Sequence, residues 1–145
     1  MKDLIVLTGP TAVGKTSLSI ALAKAVDGEI ISADSMQVYK YMNIGTAKIT
    51  EEEKCGIPHF LIDELEPDEE FNVTIFKNKV MGYIEDIKSR GKVPIIVGGT
   101  GFYIQSVIYD INFNEYGDDS NVRKKYEAMA ETLGKSELHK KLALV

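Results

Sequence analysis

The stretch "GPTAVGKT", residues 9–16, has the form G-x-x-x-x-G-K-[ST], and it decides the fold. It follows the apolar run at residues 4–7 and precedes a helix-like stretch that starts near Lys15. Gly9 and Gly14 permit backbone conformations that larger residues would block, so the backbone N–H groups can turn inward and bind phosphate oxygens. A strand, a glycine loop and a helix in this order predict a phosphate-binding loop.

We expect the whole loop to bind the phosphates of a nucleotide or another diphosphate, through Gly9, Pro10, Thr11, Ala12, Val13, Gly14, Lys15 and Thr16. Lys15 supplies a positive charge. The Thr16 hydroxyl can bind Mg²⁺, which we expect as the cofactor. Most proteins with this pattern bind ATP or GTP and hydrolyse or transfer the γ-phosphate, so the motif alone does not decide which phosphates are held.

Strands and helices alternate along the rest of the chain. Apolar runs predict strands at residues 4–7, 29–33, 59–63 and 93–97. Helices are predicted at residues 15–26, 50–54, 72–90, 102–110, 121–133 and 135–144. This alternation predicts an α/β fold with a parallel sheet flanked by helices. The run at 4–7 is typical of a strand buried on both faces.

Some helix details can be predicted as well. In the helix at 15–26, Leu18, Leu22 and Ala25 share one face, which we expect to be buried. Gly28 is expected to end this helix in the left-handed conformation. In the helix at 72–90, Asn72 can cap the start, and apolar residues recur at spacings of three and four.

Two more loops are expected at the carboxyl ends of strands, where ligands bind in such sheets. Asp34 directly follows the second strand; it is either a general base or a carboxylate that caps a turn with Ser35. On its own, "GGTG" at 98–101 favours a tight strand-to-helix turn; alternatively, Thr100 in it orients Asp34 or contacts substrate. The strand at 93–97 lacks the following acid that supports Mg²⁺ in many nucleotide hydrolases.

Composition excludes several classes. The chain has 145 residues, a net charge of −5 and no apolar run near the length of a membrane helix, so we expect no membrane partner. One cysteine cannot form an internal disulfide, which favours a reducing, cytoplasmic location, and we expect a monomer. The acidic balance argues weakly against RNA, but residues 121–145 carry six basic against three acidic residues, which is compatible with RNA contact there.

Four stretches together resemble the tRNA dimethylallyltransferases, also called tRNA isopentenyltransferases. They are "GPTAVGKT" (9–16), "ISADSMQVY" with "IGTAK" (31–39 and 44–48), "GIPHFLID" (56–63) and "VGGTGFY" (97–103). The first is shared with many unrelated proteins, whereas D-S-x-Q-V-Y combined with G-G-T-G-x-Y is far more specific. The likeness spans most of the chain and becomes thin after residue 112.

The resemblance implies a fold of the P-loop NTPase kind and a reaction. Such enzymes transfer the prenyl group of dimethylallyl diphosphate to N6 of the adenosine 3′ of the anticodon in tRNA, so the loop would hold a leaving group. By that likeness Asp34 and Thr100 are catalytic, with Asp34 as general base. The tRNA would be contacted by Asp34, Ser35, Met36, Gln37, Thr100 and Arg123.

The resemblance also implies a division of the chain. Residues 1–112 would form an incomplete catalytic core, and residues 113–145 would begin an inserted helical tRNA-binding domain. Because members of the family are about twice as long, we expect this chain alone to bind diphosphate weakly and transfer little. Three other functions stay open on sequence: a prenyltransferase acting on free adenine nucleotides, a small-molecule kinase, and a non-catalytic nucleotide-binding module.

Overall fold

The computed structural model describes residues 4–111, 113 and 120–143. The chain forms two compact units, Met1–Asn112 and Phe113–Val145. The first contains β1 (Ile5–Thr8), α1 (Lys15–Val26), β2 (Gly28–Ala33), α2 (Glu51–Lys54), β3 (His59–Phe60), α3 (Val73–Ser89), β4 (Val93–Gly98) and α4 (Gly101–Ile108). The second contains α5 (Ser120–Leu133) and α6 (Lys135–Leu142). Most of the turn-rich segment 112–120 lies outside the described residues.

The strands form one parallel sheet in the order β1-β4-β2-β3. The expected α/β fold with a parallel sheet is therefore confirmed. Successive residues of the central strands face opposite sides of this sheet. Ile30 and Ile95 pack with α1, whereas Ile31 and Ile96 belong to a larger cluster with residues of α3 and α4. The sheet consequently separates two apolar cores. Among the described residues, no helix is both long and apolar enough to cross a bilayer.

Helix α3 forms as its sequence predicts. The Asn72 side chain accepts hydrogen bonds from the backbone N–H groups of Thr74 and Ile75, both at 3.0 Å, and so caps the first turn. The buried residues recur at the predicted spacings of three and four and face the sheet: Phe76, Val80, Ile84 and Ile87. The cap and the apolar stripe agree on one helix register.

Two predictions for α1 were wrong. The buried face carries Ser19, Ile20 and Ala23, whereas Leu18 is 56% exposed. Leu22 is partly buried against the core, and Ala25 is exposed. Apolar residues occur on every side of this helix, so periodicity could not select the buried face. Its left-handed terminal residue is Asp27 rather than the glycine that follows.

Gly28 has a different role from the expected helix end. It is the first residue of β2, and a Cβ there would lie 2.8 Å from the Ile95 side chain and 2.9 Å from the Val93 carbonyl oxygen. The glycine therefore allows a close approach between β2 and β4.

Two strands also differ from prediction. β1 lies at the edge of the described sheet and its residues are half-buried or exposed, so it is not buried on both faces. β3 contains only His59 and Phe60, because Leu61 and Asp63 have φ angles of 60° and 55° and leave the extended conformation.

An ion pair joins β2 to the end of α3, far along the strands from the phosphate-loop edge. Glu29 is 2% exposed, and both of its carboxylate oxygens accept from the Arg90 guanidinium, at 2.5 and 2.6 Å. The hydrogen bonds to Glu29 and Asp86 raise the pKa of Arg90 above its ordinary value. A carboxylate this deeply buried needs its partner, because an unpaired charge in the interior is costly.

We expect Arg90→Met to lower the free energy of unfolding more than Asp86→Asn does, because it leaves the Glu29 carboxylate buried with only the weaker Lys92 contact at 3.6 Å. Chemical denaturation of the purified protein measures this. Asp86→Asn is the matched control, because it removes the charge of the other partner of Arg90. The Asp86 side chain is 55% exposed, so this variant should lose less than about 1 kcal/mol of unfolding free energy. Equal losses in the two variants would contradict the prediction.

Candidate active site

Three loops meet at one edge of the sheet because three strands end level with one another. Thr8 of β1, Gly98 of β4 and Ala33 of β2 are in register, with Gly98 in the middle. The phosphate loop, the "GGTG" turn and the Asp34 turn begin at the next residue of each strand. Two strand spacings separate the outer strands, so the loops start within about 10 Å of one another.

The middle strand touches both neighbours at this edge. A Cβ on Gly98 would overlap the Ala33 carbonyl and lie 2.8 Å from the Ala33 side chain, and the Thr100 N–H donates to the same carbonyl at 3.3 Å. On the other side, a Cβ on Gly99 would lie 3.6 Å from the Gly9 carbonyl oxygen. The two glycines therefore bring the predicted phosphate and acceptor loops together.

The phosphate loop has the backbone geometry of an anion site. Ala12 and Gly14 have positive φ angles of 65° and 86°, which turn successive N–H groups toward one side. α1 begins after Gly14 with no side-chain cap and no acid in its first turn, so neither a cap nor a first-turn carboxylate occupies its first N–H groups. The Lys15 ammonium lies across the loop and donates to the carbonyls of Gly9 and Pro10, at 2.8 and 2.5 Å.

Thr16 is the residue predicted to hold Mg²⁺, and that role stays a prediction. It is exposed at the start of α1 and lines a cavity of about 50 Å³ with Ser32, Gln37 and His59 among others. No cluster of three or more acidic, histidine or cysteine side chains suited to a metal occurs among the described residues. Mg²⁺ commonly takes only one or two protein oxygens and completes its shell with phosphate and water. A single hydroxyl beside a phosphate loop fits this ion.

His59 is half-buried beside this cavity. Its Nδ1 lies 2.7 Å from the Ile57 carbonyl oxygen, and burial lowers its pKa below the ordinary value. The histidine is therefore neutral near pH 7, with Nδ1 donating to the carbonyl. His59 is therefore a neutral, packed side chain of β3 and not a charged ligand for phosphate.

Asp34 caps the turn that it starts, and it does so with one oxygen. Its Oδ1 accepts from the N–H groups of Met36 and Gln37, at 2.9 and 3.3 Å. Among the described residues no hydrogen bond or ion pair engages Oδ2. The side chain is half-buried, so the second oxygen is available to a substrate. Capping and base chemistry are thus compatible at this residue.

The other expected acceptor-site residues surround this turn. Ser35 and Gln37 are half-buried, and Met36 is 45% exposed. Thr100 directly precedes α4, and its hydroxyl makes no capping hydrogen bond to the helix, so the hydroxyl is available to a substrate. The structure therefore brings Thr100 next to β2 and the Asp34 turn, while the catalytic roles of both residues stay predictions.

A further loop supports the turn, and sequence reasoning gave it no role. Gln37 Nε2 donates to the Thr46 carbonyl at 3.0 Å, and Lys48 Nζ donates to the Tyr39 carbonyl at 2.6 Å. The "IGTAK" motif, residues 44–48, contains both supporting residues. The "IGTAK" stretch was the available signal, but the partners of Gln37 and Lys48 could not be identified without the fold.

Arg123 lies in the second unit, on α5. Its Nε is 3.3 Å from the Glu127 carboxylate one turn further along, and its side chain is 82% exposed. This exposure is compatible with a contact to RNA. The expected role of Arg123 near tRNA and diphosphate stays a prediction.

Comparison with known proteins identifies the family. The family model described as IPP transferase matches residues 37–145, a range that starts at Gln37 near the end of the Asp34 turn and includes the "GGTG" loop and both helices of the second unit. The chain belongs to the IPP transferase family. The resemblance seen in the four sequence stretches is therefore confirmed.

Curated relatives are strongly similar to the chain. It is 63% identical over 139 residues to a tRNA dimethylallyltransferase of Lachnoclostridium phytofermentans, covering 96% of this chain and 44% of that protein. It is 56% identical over 142 residues to the tRNA dimethylallyltransferase of Acetivibrio thermocellus, covering 98% of this chain and 45% of that protein. The chain spans less than half the length of these relatives.

Solved structures agree with the fold. A full-length tRNA isopentenylpyrophosphate transferase of Bacillus halodurans matches with a TM-score of 0.78 and 47% identity, over 99% of this chain and 47% of that one. A eukaryotic dimethylallyltransferase acting on tRNA matches with a TM-score of 0.74 and 43% identity, over 83% of this chain and 29% of that one. The P-loop NTPase-like fold expected for the IPP transferase chain is confirmed.

We expect Gly98→Ala to lower the free energy of unfolding by about 2 kcal/mol or more, because the added Cβ overlaps the Ala33 carbonyl and must separate β2 from β4. Gly101→Ala is the control, since a Cβ there meets nothing within 4 Å and Gly101 opens α4. That control should be neutral or stabilising by about 0.5 kcal/mol. The denaturant midpoints of the two variants measure these changes. An unchanged midpoint for Gly98→Ala would refute the claim that β2 and β4 need a glycine at this position.

Proposed function

We propose that the protein containing this chain transfers the dimethylallyl group of dimethylallyl diphosphate to N6 of the adenosine 3′-adjacent to the anticodon in tRNA. One observation carries the proposal: the level ends of β1, β4 and β2 bring a phosphate loop and a half-free carboxylate to the same edge. Membership of the IPP transferase family and the names of the relatives support the same reaction.

The phosphate loop would hold the diphosphate as a leaving group. The N–H groups of the loop and the Lys15 ammonium would neutralise negative charge as the allylic C–O bond breaks and the diphosphate departs with the bonding electrons. Bound Mg²⁺, held by the Thr16 hydroxyl, would supply further charge neutralisation there. In this role the loop would hold a departing diphosphate and not the phosphates of a hydrolysed ATP, which accords with the absence of the Mg²⁺-supporting acid after the strand at 93–97.

Asp34 would accept the proton of the acceptor amine. As the bond from N6 to the allylic carbon forms, N6 loses one proton, and the free Oδ2 of Asp34 is the base that would take it. The target adenosine must leave its stack to reach this edge, at a cost of a few kcal/mol that pocket contacts offset. Ser35, Met36, Gln37 and Thr100 are the residues we propose for those contacts, with Arg123 contacting tRNA.

The remaining half of the protein belongs to this proposal. Because the chain covers only 44–45% of its curated relatives, we expect these 145 residues alone to bind diphosphate weakly and transfer little. Residues 113–145 would begin the helical tRNA-binding insertion. Experiments on activity therefore use the full-length protein.

The acceptor can be tested directly. The full-length protein is given radiolabelled dimethylallyl diphosphate with an anticodon stem-loop RNA, with AMP, or with neither, and labelled nucleosides are separated by chromatography. We expect label only on the RNA, at N6 of the adenosine 3′ of the anticodon. Labelled AMP would instead indicate a free-nucleotide prenyltransferase, and phosphate transfer from ATP would indicate a kinase.

Asp34→Asn isolates the base from the turn. The asparagine Oδ1 can still accept from the N–H groups of Met36 and Gln37, so the turn is kept while the proton acceptor is lost. We expect the transfer rate to fall roughly 10²- to 10⁴-fold with diphosphate binding unchanged. Single-turnover assays and equilibrium binding measure the two quantities.

Asp34→Ala is the companion variant, because it removes both the cap and the base. It should lose activity at least as strongly and also lower stability by about 1 kcal/mol, the usual cost of a lost cap. If Asp34→Asn transfers at the unaltered rate while Asp34→Ala fails, the carboxylate only caps the turn.

Lys15→Met tests the phosphate loop. The variant keeps the length of the side chain but removes the charge that lies over the Gly9 and Pro10 carbonyls. We expect diphosphate affinity to fall roughly 10-fold or more, since a charge-assisted hydrogen bond contributes about 1.5–3 kcal/mol. Lys24→Met, in the last turn of α1, is the control and should leave affinity unchanged. Unchanged binding by Lys15→Met would exclude this loop as the diphosphate site.

A further inference from the structure

The lysine of the "IGTAK" motif has a buried side chain. Lysines are rarely buried unless their charge is paired, so its partners indicate what it does. The side chain of Lys48 is 3% exposed. Its ammonium donates to the Tyr39 carbonyl at 2.6 Å and to Asp63 Oδ1 at 2.5 Å. One bond thus reaches the backbone of the segment that follows Asp34, and the other reaches the segment that follows β3.

These two segments already pair through their backbones. The N–H of Asp63 donates to the Gln37 carbonyl at 3.1 Å, and the N–H groups of Glu64 and Leu65 donate to the Val38 carbonyl at 2.8 and 3.1 Å. Val38 is fully buried, so the segment is anchored in the core at that residue. Lys48 therefore lies at the junction of three chain segments, 34–39, 43–48 and 63–65.

The loop that carries Lys48 is itself held in shape. The Lys48 N–H donates to the Asn43 carbonyl at 3.1 Å, and the Ala47 N–H donates to the Ile44 carbonyl at 3.2 Å. Gln37 reaches the same loop through its bond to the Thr46 carbonyl. The acceptor turn is thus fixed from both ends: Asp34 holds its start, and the loop holds Gln37 and Tyr39.

We propose that Lys48 is a positioning residue for the acceptor site, which fixes the Asp34–Tyr39 turn through the Tyr39 carbonyl while Asp63 balances its charge. This rests on the proposed transfer to RNA but concerns a residue outside the reacting atoms. A small displacement of a positioned group can lower a rate up to about 100-fold. The contacts of Lys48 would therefore affect the transfer rate through the orientation of the acceptor nucleotide. The phosphate loop follows β1, on the other side of β4 from β2, and Lys48 makes no hydrogen bond to it among the described residues.

The test compares Lys48→Met with unaltered full-length protein. We expect kcat/KM for the anticodon stem-loop to fall roughly 10- to 100-fold. The dissociation constant for dimethylallyl diphosphate should stay within about twofold, since the Lys48 side chain bonds Tyr39 and Asp63 and no residue of the phosphate loop. A residue that only stabilised the fold would not separate the two substrates in this way.

Two further variants control the result. Lys40→Met removes an ion pair of similar length from the neighbouring position, 2.6 Å from Lys40 Nζ to Glu66. Both of these side chains are exposed, and the pair makes no hydrogen bond to a backbone carbonyl of the turn. We therefore expect Lys40→Met to leave the kinetics with RNA unchanged. Asp63→Asn changes a residue whose side chain is 47% exposed, so the protein should fold. It should show the same selective loss as Lys48→Met, but a smaller one, because the bond to Tyr39 remains.

Amide hydrogen exchange gives a readout that needs no activity. Exchange at Met36, Gln37 and Tyr39, whose N–H groups are bonded within the turn, should be faster in Lys48→Met and in Asp63→Asn than in Lys40→Met. If the unaltered protein transfers nothing to RNA, the proposed function is refuted. Hydrogen exchange at the turn still tests whether Lys48 fixes the Asp34–Tyr39 turn. Unchanged exchange at the turn, or equal losses for RNA and diphosphate, would overturn the role of Lys48.

Discussion

The candidate site depends on the missing side chain at Gly98. Because no Cβ separates the end of β4 from the Ala33 carbonyl, β2 and β4 can stay paired up to their last residues, and β1 pairs with β4 at the same level. The loops that follow therefore begin together at one edge. A phosphate-binding loop and a carboxylate that are 18 residues or more apart in sequence become neighbours through one small residue between them.

Sequence predicted the order of the elements and the parallel sheet, because both follow from local signals. The Asn72 cap and the apolar spacing of α3 point to one helix, and the phosphate-loop motif specifies a strand before it and a helix after it. Where local signals are absent, prediction failed. α1 is apolar on several sides, so its buried face depends on tertiary packing. The role of Gly28 depends on Ile95 and Val93, which are distant in sequence and adjacent only in the sheet.

The loops of the candidate site were predictable from the sequence, whereas the contacts that support them were not. The loop motifs and the family resemblance named Lys15, Thr16, Asp34 and Thr100 before the structure was known. They could not say whether Asp34 caps a turn or faces a substrate, and the geometry makes these roles compatible, since only Oδ1 is used by the cap. Lys48 lies in the "IGTAK" motif, but the motif alone assigns it no role, because folding brings its partners, the Tyr39 carbonyl and Asp63, next to it.

β1 carries the phosphate loop and lies at the edge of the sheet that the structure describes. One side of β1 pairs with β4, and the described residues supply no strand for the other side. The backbone groups there can be paired by an added strand. Such a strand would be bonded to the same residues that lead directly into Gly9. The position of the phosphate loop would then depend in part on whatever strand completes the ladder next to Ile5–Thr8.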